Sequence, residues 1–271
     1  MPRAAVLGHP VAHSLSPALH TAAYTALGLD TWTYSCHDVD EPDLAGFLAT
    51  LDSTWAGLSL TMPLKRAALL LADHAEPTAQ AVGAANTLLL GPAGRTAANT
   101  DVHGIVAALR EAGVTSATTG VVLGGGATAA SALAALGQLG VRSPVVVVRS
   151  VPRAAPLLPL GRKMGLDVSL RRWSAAPTLA ADCDVVVSTV PQGTDTLEQS
   201  LAHVTGTLLD VRYDIRPSPL CAAWRRAAGR CVGGERMLVH QAAEQVRLMT
   251  GHRAPLETMD QALGEALSTA G

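Results

Sequence analysis

The tightest constraint on this chain is a recurrent spacing. Short apolar runs, Ala4–Leu7, Trp55–Leu60, Val121–Leu123 and Val145–Val148, are each followed by a stretch carrying helix start signals. Runs this brief read as buried strands, and their alternation with helical segments leads to an α/β protein with largely parallel sheet. In "SPALHTAAYTALG", Ser16 reads as N-cap, Pro17 as the first helical residue and Gly28 as the stop. Pro63 opens a helix through "LKRAALLLADHA", a hairpin turns around Gly91–Gly94, and "VHGIVAALREAG" is helical. Further on come a glycine turn running into "ATAASALAALGQLG", a helix near 152–164, strands near 184–188 and 207–210, and helices over 218–228, 237–250 and 256–267. At 271 residues the chain suits two modest domains, with a boundary near residue 101 and the last helices returning to the first domain.

Charge narrows the partners. The net charge is −2, and neither Arg171-Arg172 nor Arg225-Arg226 extends into a basic tract, which argues against nucleic acid and anionic membrane. No charge occurs from Ala112 to Val141, but its glycines, threonines, serines and Gln138 make a poor membrane span. The N-terminal "MPRAAVLGHP" lacks a signal-peptide core. Cys36, Cys183, Cys221 and Cys231 form no CxxC pair, so reduced thiols in the cytoplasm are expected. His9, His13, His20, His103 and His240 form neither HxH nor HExxH, and no metal is expected.

The glycine turn carries the first chemical signal. Gly124, Gly126 and Ala129 fit G-x-G-x-x-[GA] between a predicted strand and a predicted helix, where Gly124, Gly125, Gly126, Ala127 and Ala129 would let a pyrophosphate approach backbone amides. In a chain rich in Gly and Ala the same letters also describe a plain tight turn, so the next strand decides. It ends in "RSVPR", where Arg149, Ser150 and Arg153 offer donors to a 2′-phosphate and no carboxylate waits for ribose hydroxyls. NADP(H) is therefore expected rather than NAD.

The first half spends rare residues at particular places. Lys65 and Lys163 are the only lysines among 20 basic residues, and Asn86 and Asn99 the only asparagines. An ammonium can lose its proton near neutral pH in the right surroundings and a guanidinium cannot, so keeping lysine in "TMPLKR" suggests proton transfer at Lys65. Thr61 and Lys65 fall just past a strand end, where α/β proteins place ligands. Ser14 and Ser16 at a helix mouth would seat a carboxylate, although a serine before proline often merely caps. Asn86 in "GAANT" and Asn99 in "ANTDVHG" suit a polyhydroxylated ligand or a turn, and Asp101 suits either a cap or catalysis.

Taken in order, "HPVAHSLSPALH", "LTMPLK", "GAANT", "NTDVHG", "LGGGATA", "VVRS", "VSTVPQG", "DVRYDIRPSPL" and "MLVHQAAEQVRLMTG" give a chain that resembles the shikimate dehydrogenase family over nearly its whole length. The resemblance implies a substrate-binding domain over 1–101, completed by helices in 238–271, and a Rossmann NADP-binding domain over 102–237. It implies reversible NADPH-dependent reduction of 3-dehydroshikimate to shikimate in aromatic amino acid and chorismate biosynthesis, by a cytoplasmic monomer or homodimer. Ser14 and Ser16 would hold the substrate carboxylate. Thr61, Asn86 and Gln241 would contact substrate hydroxyls, Tyr213 would border the site, and Lys65 and Asp101 would be the catalytic pair. Thr189 and Gly234 would join the glycine turn on the cofactor.

Four positions depart from the family pattern. Ser59 replaces a usual Asn, Val148 a usual Asn before the arginine, Ile215 a common Pro, and Arg236 a frequent Gly where bulk would disturb the nicotinamide. A quinate or aminoshikimate dehydrogenase of the same family is the near alternative. A non-catalytic NADP(H)- or metabolite-sensing homologue is the distant one.

Overall fold

The computed structural model describes residues 1–191 and 193–269. Gln192 of the "VSTVPQG" motif, and the last two residues of the C-terminal stretch, lie outside the described residues. The chain divides into two compact units, one made of Met1–Thr100 with Val239–Gly271 and the other of Asp101–Leu238. Each contains one six-stranded sheet, so the α/β class expected from the apolar runs is what the chain adopts.

In the first unit the strands are β1 (Arg3–Gly8), β2 (Thr33–Asp38), β3 (Trp55–Leu60), β4 (His74–Ala75), β5 (Thr87–Gly91) and β6 (Gly94–Ala98), in the order β2-β1-β3-β5-β6-β4. β1 pairs in parallel with β2 and β3, whereas β3–β5 and β5–β6 are antiparallel. The β5–β6 hairpin pairs Thr87 with Ala98, which brings Asn86 at one strand start and Asn99 at the other strand end to the same edge. Ala5, Leu7, Leu58, Leu60 and Leu88 fill the core beneath. The helix Ser16–Ala26 packs on the C-terminal helix Leu256–Thr269, whose buried Met259, Leu263 and Leu267 recur every four residues along one face.

The second unit is all parallel. Its strands are β7 (Gly120–Leu123), β8 (Val145–Val148), β9 (Ser169–Arg172), β10 (Val185–Ser188), β11 (Thr207–Asp210) and β12 (Arg230–Gly233), ordered β12-β11-β10-β7-β8-β9. Read from β9, this is the doubly wound order 3-2-1-4-5-6, with its topological switch point between β7 and β10. The inner strands β7, β8 and β10 are nearly all Val and Leu, as parallel strands buried on both faces are. The uncharged stretch from Ala112 to Val141 becomes β7 and the helix Ala127–Gln138, and no helix among the described residues is long and apolar enough to cross a membrane.

Several local expectations change. Ser16 is the first helical residue rather than the cap; Leu15 takes the cap position, and the Ser16 N–H is met by Ser14 Oγ at 3.3 Å. The helix expected over 152–164 breaks into Val151–Ala154 and Leu157–Lys163, because Pro156 lacks the N–H that a continuous helix needs there. The helix after Pro63 is confined to Lys65–Leu70. Cys221, in the helix Pro219–Arg226, and Cys231, in β12, are joined as a disulfide with their Cα atoms 5.5 Å apart, so reduced thiols remain only at Cys36 and Cys183. That correction has a simple origin. Ten residues of separation across a helix, a turn at Ala228 with φ 68° and a strand leave no CxxC-like signature in the sequence.

Candidate active site

The loops that follow β1 and β3 are stitched together by their backbones. The Thr61 N–H donates to Leu7 O at 2.9 Å and the His9 N–H to Met62 O at 3.0 Å. Gly8 is required at this seam, since a Cβ there would overlap the Thr61 methyl group. "HPVAHSLSP" and "TMPLK", which begin 52 positions apart, thus share one sheet end. Ser14 is half-buried and Ser16 is buried, at the start of the helix Ser16–Ala26. Hydroxyls and a helix start together favour a carboxylate.

Lys65 is half-buried at the first position of its helix, and its carbonyl accepts the Ala85 N–H at 2.8 Å, which fastens "GAANT" to "TMPLK". Asn99 Nδ2 donates to Ala84 O at 2.9 Å, so this second asparagine holds the loop from the other side. Asn86 is buried and fully committed in orientation. Its Oδ1 accepts the Thr100 N–H at 2.8 Å, and its Nδ2 donates to Thr100 Oγ1 at 2.9 Å and to Gln241 Oε1 at 3.2 Å. Gln241 therefore turns its oxygen toward Asn86, and the far end of its amide is a donor. Ser14, Ser16, Thr61, Lys65, Asn86 and Gln241 all belong to the first unit.

Asp101 belongs to the second unit, where it is buried as the first residue of the helix Asp101–Glu111. Tyr213 is half-buried beyond β11, and burial pushes its phenol above the ordinary range. Before it, Asp210 accepts from Ser218 Oγ at 2.6 Å, and that hydroxyl in turn caps the helix Pro219–Arg226 by accepting the Cys221 N–H at 3.1 Å. The bulk of Arg236 is drawn aside: its Nε and Nη2 form a bidentate pair with Glu111 at 2.9 and 2.8 Å. Gly234 packs against the Val211 carbonyl, leaving no space for a side chain.

The glycine turn lies at the switch point. Gly124 has φ 107°, and a Cβ on it would collide with Thr189 Oγ1, which is itself held by donating to Leu123 O at 2.9 Å. Gly125 approaches Val148 and Ala154 so closely that a Cβ would stand 3.2 Å from each. Gly126 occupies the cap of the helix Ala127–Gln138, and a Cβ there would meet no atom within 4 Å, so this stretch of backbone is open to a ligand. Ala127 begins the helix and Ala129 is buried, its N–H donating to Gly126 O at 3.1 Å. Ser150 stands at the cap position of the helix Val151–Ala154, with Arg149 and Arg153 exposed on either side. Register sets Arg172 of β9 level with Val148, adding a cation at the neighbouring strand end that the sequence reading did not single out. A cradle open at its backbone, a helix start and these cations fit a dinucleotide carrying a further phosphate.

Three polar residues near the site escaped the sequence reading. Tyr34, Thr100 and Gln245 join the network around Asn86; Gln245 follows Gln241 by four positions on the same helix, a spacing that could have pointed to it. Among the described residues no group of His, Cys, Asp or Glu is gathered to hold a metal ion.

A 3-2-1-4-5-6 sheet with a glycine cradle, in one chain with a second α/β unit bearing a serine seat and a buried amide cluster, defines a two-unit dinucleotide-binding protein. Residues 6–88 match the family model of the shikimate dehydrogenase substrate binding domain, and residues 234–263 match that of the shikimate 5′-dehydrogenase C-terminal domain. The chain is 30% identical to the shikimate dehydrogenase (NADP(+)) of Methanothermobacter thermautotrophicus, over 97% of this chain and 96% of that one. Among solved structures it is similar to Mycobacterium tuberculosis shikimate dehydrogenase, with 41% identity and TM-score 0.89 over 98% of this chain and all of that one. It is also similar to the Thermus thermophilus shikimate 5-dehydrogenase in complex with NADP(H) and shikimate, with 31% identity, TM-score 0.83 and coverage of 98% and 100%. The chain belongs to the shikimate dehydrogenase family.

Proposed function

We propose that the protein interconverts 3-dehydroshikimate and shikimate with NADPH and NADP⁺. The observation that carries this reading is the buried Asn86–Thr100–Gln241 cluster, whose amides are locked in orientation beside a serine-lined helix start, as recognition of a hydroxylated acid requires. In this reading Ser14 and Ser16 take the carboxylate, while Thr61, Asn86 and Gln241 take ring hydroxyls and Tyr213 borders the site. Gly124, Gly125, Gly126, Ala127, Ala129, Thr189 and Gly234 give the dinucleotide its close backbone approach, and Arg149, Ser150 and Arg153 take its 2′-phosphate.

The bound nicotinamide supplies or receives the hydride at the carbinol carbon. Lys65 gives its Nζ proton to the oxygen during reduction and takes one back during oxidation, and Asp101 is its catalytic partner. A proton donor is needed because hydride addition to a ketone creates an alkoxide whose charge must be neutralised as it forms. The setting proposed is the cytoplasm, for a monomer or homodimer.

Rates of reduced-nicotinamide formation with shikimate, quinate and aminoshikimate, each with NADP⁺ and NAD⁺, test the reading. Highest kcat/KM with shikimate and NADP⁺ is expected. A preference for quinate, aminoshikimate or NAD⁺ refutes the corresponding half, and a chain that binds but never turns over is a sensor.

A further inference from the structure

The serine seat and the amide cluster are physically connected. The Ser16 side chain interacts with the phenol of Tyr34, whose O–H donates to Ser59 Oγ at 2.7 Å. Ser59 spends its one hydrogen on Gln245 Oε1 at 2.9 Å. The Gln245 amide cannot be reversed, because its Nε2 faces the Asn86 carbonyl at 3.1 Å, an acceptor only, as well as Thr87 Oγ1 at 3.0 Å. Thr87 then donates to Asn86 Oδ1 at 3.0 Å, and Asn86 donates to Gln241.

Every donor along this path points the same way, from Ser59 through Gln245 and Thr87 to Asn86 and Gln241. The single hydrogen of Ser59 fixes the sense of the Tyr34 bond, and that leaves the Tyr34 oxygen only acceptor capacity to offer the Ser16 side chain. His20 props the relay: its ring stacks on Tyr34 at 4.0 Å between centroids, and its Nε2 lies 3.4 Å from Gln245 Oε1. Burial pushes the His20 pKa down to about 3 and the Tyr34 pKa well above its usual value, so both stay neutral across the physiological range and the donor sense is stable.

Resting on the reading of Ser16, Asn86 and Gln241 as substrate contacts, we propose that Tyr34 is a positioning residue, which sets the donor directions of the carboxylate seat and the hydroxyl-binding amides together through Ser59 and Gln245. A chain of this kind acts as one unit, so cutting it in two places does little more harm than cutting it once.

The test is steady-state kinetics of shikimate oxidation by the full chain, with wild type, Tyr34→Phe, Gln245→Met and the double variant, beside calorimetric binding of shikimate and thermal melting. Tyr34→Phe is expected to raise the KM and Kd for shikimate about tenfold, to lower kcat less than about threefold, and to leave the KM for NADP⁺ unchanged. The double variant should stay within about twofold of the worse single one. A merely structural phenol would lower Tm and leave the shikimate KM alone, and that result overturns the proposal, as does multiplication of the two single effects. If Tyr34→Phe does not fold, Ser59→Ala cuts the next link and carries the same expectations and the same refutation. A wild-type chain that neither binds nor oxidises shikimate overturns the functional reading and this proposal with it. A working wild type matched in shikimate KM by Tyr34→Phe overturns this proposal alone.

Discussion

Asn86 Nδ2 donates to Gln241 Oε1 at 3.2 Å across 155 residues of sequence, and both side chains are buried. An amide pair of this kind is held for its direction as much as for its stability, since a half-satisfied buried amide costs about 1–3 kcal/mol. Gln241→Leu removes the acceptor for Asn86 and the donor proposed for substrate at once. It is expected to raise the KM for shikimate more than about tenfold while the KM for NADP⁺ stays within about twofold. Equal loss on both substrates would deny Gln241 a place on the substrate side.

Lys65→Arg keeps the positive charge but replaces an ammonium proton donor with a guanidinium, which does not give up its proton. Calorimetry should find shikimate bound within about threefold of wild type, and kcat reduced by about a hundredfold or more. Near-normal turnover in this variant contradicts proton transfer by Lys65.

Arg153 is exposed beside the cap of the helix Val151–Ala154, so its removal should leave the fold intact. Arg153→Ala is expected to raise the KM for NADP⁺ by about ten- to a hundredfold, the size of a lost charge-assisted hydrogen bond, with little change for NAD⁺. Parallel changes with both cofactors would mean that Arg153 does not read the 2′-phosphate.

Gly124 combines φ 107° with the pressure of Thr189 Oγ1 on any Cβ. Gly124→Ala should lose about 2–3 kcal/mol in denaturant titration, because the left-handed backbone and the crowding add. NADP⁺ affinity should fall with it, and an unchanged midpoint would remove Gly124 from the cradle.

His20 is buried among Tyr24, Tyr34 and Gln245, and its pKa is lowered from 6.5 to about 3 by loss of hydration. The unfolded chain therefore takes up a proton that the folded one refuses. Stability from this group is fully present above pH 6.5 and is lost as pH falls toward 3. Between pH 6.5 and 5, wild type should lose about 1–2 kcal/mol more than His20→Leu, read from denaturant midpoints at each pH. Identical slopes would place the His20 proton elsewhere.

Much of this was legible along the chain, for definite reasons. β3 and β8 run as expected because Trp55–Leu60 and Val145–Val148 are apolar and bounded by breakers, and the glycine turn was readable because left-handed and close-packed backbone demands glycine locally. The edge strand β2 was not, since "TYSCHD" is polar along its exposed side and carries no apolar run. Ser16 read as a cap because the serine-proline pair is the same one position earlier or later in a helix start. The disulfide was missed because pairing depends on how a helix and a strand meet, which ten residues of spacing do not encode.

By itself, the sequence determined the α/β class, the position of the cofactor turn and the unusual placing of Lys65 and the two asparagines, because each depends on the chemistry of neighbouring residues. Only the tertiary structure decided which way the amides of Asn86, Gln241 and Gln245 face, and that Tyr34 stands between Ser16 and Ser59. Hydrogen-bond direction is fixed by partners up to 225 residues away, and an amide has no preferred sense until a backbone carbonyl or N–H imposes one.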